Sequence, residues 1–309
     1  MKIHADRFDM ESPSLFWSRT FDDRLLHSLE MFGQLVPVLA THEGDRLCLL
    51  AGQRRVKALG KLGQPVLTLI CSEDSPLQRG IIYLESNSNE QLDDGALIRA
   101  LRYFSTCSQD LTSIARLLGL SRHSRQWNLL VNWLDLPPSW DECLINGHVP
   151  LVLANLLTRF APEDLHDLQE YFKDMSWSRN NAVHLVTWIW EVSRLRGRSP
   201  ATLMHELDFK AICDLDLSPK DTMTRILDIL RTARYPRLCH QEREFRRRSQ
   251  DVVAGSGWRL VQPDQFETRS VEFATRVSSP QEFDARVHEL ADIARDRVWG
   301  SLDSMRKGE

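Results

Sequence analysis

The cysteines of this chain are not arranged to do anything together. The six, at 48, 71, 107, 143, 213 and 239, are scattered, with no CxxC and no paired metal spacing, and most sit beside Leu or Ile. That excludes a disulfide framework and a zinc ribbon, and it predicts buried, reduced thiols of the kind found in a cytosolic protein. A long apolar run is also missing: none approaches the roughly 18 residues of a membrane span. Met1-Lys2-Ile3-His4 leads into charge, so no signal peptide is expected. Nor is there an excess of one charge. With 39 basic and 43 acidic residues the net charge is −4, so any nucleic-acid surface must be local. His148, His166, His184 and His205 show no ligand spacing and read as structural. No carboxylate cluster of two-metal character is visible; Glu43 and Asp45 read as turn residues.

What the chain does contain is 309 residues with 42% apolar content, enough for two or three ordinary cores. Residues 1 to 20 are polar, with a Trp and two Phe, and predict an irregular arm. Phe21-Asp22-Asp23 caps a helix to about Phe32, stopped by Gly33. Leu35-Val36-Pro37-Val38-Leu39 and Leu47-Cys48-Leu49-Leu50 are apolar runs around a Glu43-Gly44-Asp45-Arg46 turn. After Gly52 the period changes. Val56, Leu59 and Leu62 recur at helical spacing, Gly60 and Gly63 mark the end, and residues 65–70 return to strand character.

The order is strand, turn, strand, glycine, helix, strand. Gly52 lets the backbone approach something closely. The first N–H groups of the helix lack intrahelical partners and favour an anion. Arg54 and Arg55 add forked donors suited to phosphate. Either this is a phosphate pocket or it is a basic helix face in water. Further on, Ser75-Pro76 starts a helix to about Leu84. Glu85-Ser86-Asn87-Ser88-Asn89-Glu90 is a polar run that suits a metal ion or sugar hydroxyl, or is an exposed connection. Asp93-Asp94 caps the next helix.

Residues 111–134 carry three arginines and no acid, against an acidic total. A short helix with a small Ala115, a Gly119 turn and a second helix from Ser124 make a helix-turn-helix pattern. Trp127, Leu130 and Leu134 are expected in the core. Thr112, Ser113, Ser121, Arg122, Ser124, Arg125, Gln126 and Asn128 are the candidate DNA-facing residues, of the types that hold phosphates or read base edges. The turn is about two residues longer than usual for the motif, through Arg122-His123. An ordinary helical hairpin is the alternative.

Helices are then expected at about 139–146, 150–159, 163–173 and 179–196, with Trp177, Trp188 and Trp190 in the core, and a helical block at about 200–254. Seven arginines lie between Arg231 and Arg248 (231, 234, 237, 243, 246, 247, 248), against Glu242 and Glu244; they form either a DNA-backbone patch or a solvated face. Trp258-Arg259-Leu260-Val261 and residues 270–277 read as strands. A last helix carries Phe283, Val287, Leu290 and Ile293 on one face. Two strands and a helix make little core alone, so 255–309 reads as a dimerisation module, or as a segment docked on the preceding helices.

Gly33 through Pro37, then Ala51-Gly52-Gln53-Arg54-Arg55-Val56-Lys57-Ala58, resembles the N-terminal domain of ParB-type chromosome and plasmid partition proteins, also labelled ParB-like nuclease or sulfiredoxin-like. The segment Leu136-Pro137-Pro138-Ser139-Trp140 to Val149 resembles the family's stretch immediately after its helix-turn-helix. The match spans about residues 20–170; the C-terminal part is similar in architecture only. The resemblance implies an α+β, mainly helical fold: a small ParB/sulfiredoxin-like α/β domain (1–90), an all-helical helix-turn-helix domain (91–200), a helical region (201–254) and a ββα module (255–309).

It also implies a homodimeric DNA clamp that binds CTP and Mg²⁺, sits on the nucleoid in the cytoplasm, binds double-stranded DNA and works with a ParA-type ATPase, with no membrane partner. Gly52, Gln53, Arg54 and Arg55 would hold the nucleotide, with Glu85, Asn87 and Asn89 beside them and Glu85 on the metal. The family's box has glutamate where Gln53 stands. Its second box has a glutamine and an arginine that are absent here, and its glutamine before the first-box proline is replaced by Val36. Hydrolysis, at most a weak CTPase activity, is therefore in question. A sulfiredoxin activity fails, because Gln53 stands where its catalytic cysteine would be. A regulator that kept the fold without nucleotide use is the second reading, and a nuclease the third.

Overall fold

The computed structural model describes residues 1–17, 20–44, 46–72, 75–89, 91–107, 110–173, 175–268 and 270–295. Asp45 of the expected turn, Glu90 of the polar run and residues 296–309 of the C-terminal module lie outside them. The chain divides into two compact units. One holds Met1–Trp190 with Ser199–Thr202, the other Glu191–Arg198 with the chain from Leu203 onward. The fold is mainly helical, with one small mixed sheet in the first unit.

That sheet has five strands: β1 (Lys2–Ile3), β2 (Phe8–Asp9), β3 (Val38–Glu43), β4 (Arg46–Ala51) and β5 (Val66–Ile70), in the order β1-β5-β3-β4-β2. β3 and β4 form an antiparallel hairpin, and β5 returns parallel to β3. Between β4 and β5 runs α2 (Gln53–Lys61), after α1 (Asp23–Phe32). Val56, Ala58 and Leu59 of α2 are buried against Val38, Ala40, Leu49 and Val66. Asp22 caps α1, its Oδ1 accepting from Leu25 N at 2.9 Å.

Two expectations are corrected by this sheet. The arm is irregular only from Met10 onward: β1 pairs with β5 and β2 with β4, so residues 2–3 and 8–9 extend the sheet at both edges. Two-residue strands are too short to show a period. The first apolar run also does not begin a strand at Leu35. Leu35 and Val36 are 77% and 61% exposed. Gln34 replaces the ladder instead: its Nε2 donates to Leu67 O at 2.8 Å and its Oε1 accepts from Leu67 N at 2.6 Å. Pro37, with no N–H, then delays the true ladder to Val38.

Next come α3 (Pro76–Ser86) and α4 (Asp94–Cys107). They meet at Gly80, where a Cβ would lie 2.7 Å from Tyr103 and 2.8 Å from Phe104. Phe16 of the arm lies over this contact, with ring centroids 5.3 Å from Tyr83 and 5.4 Å from Phe104.

The short α5 (Thr112–Leu117) and α6 (Arg125–Trp133) come after them. Gly119 turns the chain at φ +70°. Leu134, expected in the core, is only half-buried; Trp133 takes that place. The reason is polar. Trp133 Nε1 donates to Asp141 Oδ1 at 2.9 Å, and Asp141 also accepts from Arg102 Nε at 2.9 Å. Arg102 further donates to the carbonyls of Leu134 and Leu136, each at 2.7 Å. One α4 arginine thus closes the C-terminus of α6 and fixes α7 (Ser139–Ile145). Then come α8 (Ala154–Leu157), shorter than expected because a 3-10 turn covers Leu151–Leu153, α9 (Pro162–Lys173) and α10 (Arg179–Arg196), which begins in this unit. Trp177 is buried, but Trp188 and Trp190 are half-buried, and Trp188 stacks on His184 with centroids 4.8 Å apart.

The second unit contains α12 (Phe209–Cys213), α13 (Pro219–Arg234) and α14 (Pro236–Val252), after α11 (Pro200–Glu206), which starts among residues of the first unit. Most of its arginine run is used internally. Arg231 bonds Glu242 at 2.5 and 2.8 Å, Arg234 bonds Glu191 at 2.6 Å, and Arg247 bonds Glu244 at 3.0 Å. The paired members stitch the helix surface, while Arg237, Arg243 and Arg246 stay exposed. The unit ends with β6 (Arg259–Val261), antiparallel to β7 (Glu272–Ala274), and α15 (Pro280–Arg295). Val252 and Ile293 are the buried pair of this C-terminal part, with Trp258, Leu260 and Phe273 packed around them. No described helix is long and apolar enough to cross a membrane.

Candidate functional site

Gly52 ends β4 and opens α2 with φ +100° and ψ 25°. A Cβ there would lie 2.7 Å from Val38 Cγ1. The close approach that calls for glycine is therefore to β3. It presses the start of α2 onto the sheet and aims the first turn outward. Gly52 O accepts from the N–H groups of Arg55 and Val56, at 2.9 and 3.1 Å.

A cleft of about 260 Å³ opens beside this turn, lined by Gly52, Gln53, Arg54, Arg55, Asn87 and Ser86 with Trp17, Leu25 and Tyr83. Five of the seven residues expected around a nucleotide converge there. Glu85 and Asn89 do not line it, and both are exposed. Among the described residues no group of three or more His, Cys, Asp or Glu is placed to hold a metal ion.

The two arginines differ. Arg54 is 38% exposed and comes within 3.7 Å of Asp22, itself well exposed, so that contact is weak and screened. Arg55 is more enclosed. Its Nη1 donates to Val36 O at 2.7 Å and Pro37 O at 2.8 Å, and burial pulls its pKa below the ordinary arginine value. Arg54 is thus the more accessible of the two charges, and Arg55 the one that also builds the wall. Gln53 Nε2 reaches Met10 O at 3.4 Å. On the other wall Asn87 Nδ2 donates to Tyr83 O at 2.7 Å, leaving its side-chain oxygen as the acceptor. Tyr83 Oη donates to Trp17 O at 2.6 Å, which ties the arm to α3. The sequence missed Trp17 and Tyr83, because their spacing along the chain carries no motif.

This donor set suits phosphate: a left-handed glycine, the first turn of a nine-residue helix, and one half-exposed plus one more enclosed guanidinium. It suits Mg²⁺ less well, since Glu85 lies outside the cleft.

On α6, Arg125, Asn128 and Val131 are exposed at a spacing of three, opposite buried Trp127, Leu130 and Trp133. Gln126 is exposed too, but its Nε2 turns back to α4 and donates to Asp94 Oδ1 at 3.0 Å. Ser124 caps α6, its Oγ accepting from Trp127 N at 3.1 Å. Thr112 and Ser113 bond Asp110, the former through N at 2.9 Å and through its hydroxyl. The bonds from Thr112 hold the Asp110 carboxyl below its usual range. Ser121 Oγ accepts from His123 N at 3.4 Å, and Arg122 Nε lies 3.3 Å from His123 Nε2. Arg125, Asn128 and Arg122 are therefore the outward groups, while the hydroxyls serve turns and caps.

No family model matches the chain, and no curated protein matches it. Among solved structures it is similar to the C-terminally truncated chromosome-partitioning protein ParB from Caulobacter crescentus complexed to the centromeric parS site. The identity is 18%, over 73% of this chain and 98% of that one, with a TM-score of 0.36. A second similar structure is the truncated ParB from the same organism complexed with CTP-gamma-S, at 19% identity over 55% of this chain and 97% of that one, TM-score 0.24. At these values neither likeness assigns a residue role here.

Proposed function

We propose that the chain is a ParB-like, sequence-specific DNA-binding protein whose cleft beside α2 holds the phosphates of CTP. The observation that carries this reading is the convergence of Gly52, Gln53, Arg54, Arg55 and Asn87 on one cleft, in the same compact unit as the exposed Arg125–Asn128 stripe of α6. Arg54 and the first N–H groups of α2 would bind phosphate oxygens. Arg55 would brace the wall, Asn87 would accept from a sugar or base donor, and Trp17 and Tyr83 would exclude water. CTP brings the charge of its triphosphate; Mg²⁺, if recruited, would have to draw Glu85 toward the cleft.

The α6 stripe would enter the major groove, Asn128 reading base edges and Arg122 and Arg125 holding phosphates. A homodimer is part of this reading. Phe283 and Val287 of α15 are 55% and 46% exposed, on the same face as half-buried Leu290 and buried Ile293, which suits a second copy. A role in chromosome or plasmid partition, with a ParA-type ATPase as partner, rests on the family resemblance.

The test is sequencing of DNA recovered with the protein, with and without CTP. Enrichment at a defined site, spreading to its flanks only with CTP, supports the clamp. Site enrichment indifferent to CTP favours the regulator without nucleotide use, a reading that the outlying Glu85 and Asn89 support. No enrichment at any site would remove both.

A further inference from the structure

A second cleft, of about 610 Å³, opens along the flank of α6. Its lining includes Arg125 from the first turn of α6, Arg179 from the first turn of α10, and Asp93 and Asp94 from the start of α4. Both arginines are exposed. Among the described residues neither carries an ion pair, whereas Arg102, Arg231 and Arg234 do. The two acids are engaged: Asp93 Oδ1 accepts from Ala96 N at 2.7 Å, and Asp94 Oδ1 from Gln126 at 3.0 Å.

We infer that Arg179 holds a phosphate of the duplex beside the strand segment held by Arg125, so that the DNA-facing surface extends from α6 to the start of α10. This rests on the reading of α6 as a duplex reader. The argument is one of charge placement. Two forked donors with no ion-pair partner among the described residues border a cleft next to the α6 stripe. The two carboxylates and the apolar Leu129, Leu144, Ile145, Val149, Leu151 and Val152 form most of the remaining lining. That composition repels a small anion from the interior. A phosphodiester passing over the rim meets the guanidiniums without entering. The ligand class is therefore a polyanionic backbone and not free phosphate. Sequence patterns did not show this, because Arg179 stands alone in its own segment and gains meaning only when α10 is placed beside α6.

The experiment measures binding of the full chain to a labelled duplex selected from a randomised pool, and to an unselected duplex, across a salt series. Arg179→Ala should weaken both by a similar factor, roughly tenfold, the size of one charge-assisted hydrogen bond. It should also flatten the slope of log K against log salt by about 0.9, the loss of one phosphate contact. Arg179→Lys should restore most of the slope, which a merely structural arginine would not. Inorganic phosphate at equal ionic strength should compete no better than chloride. Wild-type affinity and slope in Arg179→Ala would overturn the inference while leaving the α6 reading intact. A changed base preference at one position would overturn it as well, by making Arg179 a base reader. Failure of the wild-type chain to bind any duplex would overturn the inference and the α6 reading together.

Discussion

Arg55 donates from Nη1 to the carbonyl of Val36 at 2.7 Å, so a side chain on the wall of the cleft beside α2 also anchors the exposed segment that leads into β3. The same nitrogen reaches Pro37 O at 2.8 Å. Arg55→Ala should therefore lose stability as well as nucleotide affinity, by about 2 kcal/mol for the bonds to a charged donor. Urea unfolding checks it. Arg54→Ala should lose nucleotide affinity without losing the bonds to the Val36 and Pro37 carbonyls that Arg55 supplies.

Gly52 and Val38 make a second coupled pair. Gly52→Ala places a methyl 2.7 Å from Val38 Cγ1 in a left-handed backbone and should cost about 2–3 kcal/mol through overpacking and strain. Val38→Ala costs stability alone but relieves the clash. A double-mutant cycle in urea should then give a favourable coupling of about 1 kcal/mol. Strict additivity would show that the close approach is not what calls for glycine.

Arg102 and Asp141 hold the end of α6 from α4 and α7, at 2.9 Å. Asp141→Ala leaves Arg102 and Trp133 Nε1 without their common acceptor. The expected loss is about 3 kcal/mol, read by urea unfolding, with DNA affinity falling only as far as unfolding explains.

Cys48 offers a pH test. Burial, then its hydrogen bond to Glu43 at 2.9 Å, raise the thiol from 9.0 to about 11. Because the folded value lies above the unfolded one, this contribution is complete below pH 9 and is lost as pH climbs toward 11. The stability difference between wild type and Cys48→Ala should therefore shrink across that window. A difference that is flat with pH would contradict the assignment.

Much of the first unit was legible in the sequence, for local reasons. Gly52 and Gly63 bracket a helical period, and Asp22, Ser124 and Asp93 sit where caps must sit. The features that escaped notice depend on partners distant in the chain. The strands at Lys2–Ile3 and Phe8–Asp9 exist only because β5 and β4 present edges to them. Trp133 displaces Leu134 from the core because Asp141 satisfies its indole. Arg231 and Arg234 read as part of a charged run until Glu242 and Glu191 are brought beside them. Gln126 matches a base reader by type and position, yet Asp94 claims its amide.

The central claim is that the cleft beside α2 binds a nucleoside triphosphate through Arg54. Equilibrium binding of labelled CTP to the full chain, wild type against Arg54→Ala, tests it most directly. The account predicts saturable binding by the wild type, competed by unlabelled CTP, and a loss on the order of tenfold or more in the variant. Equal binding by the two proteins, or none by either, would contradict it.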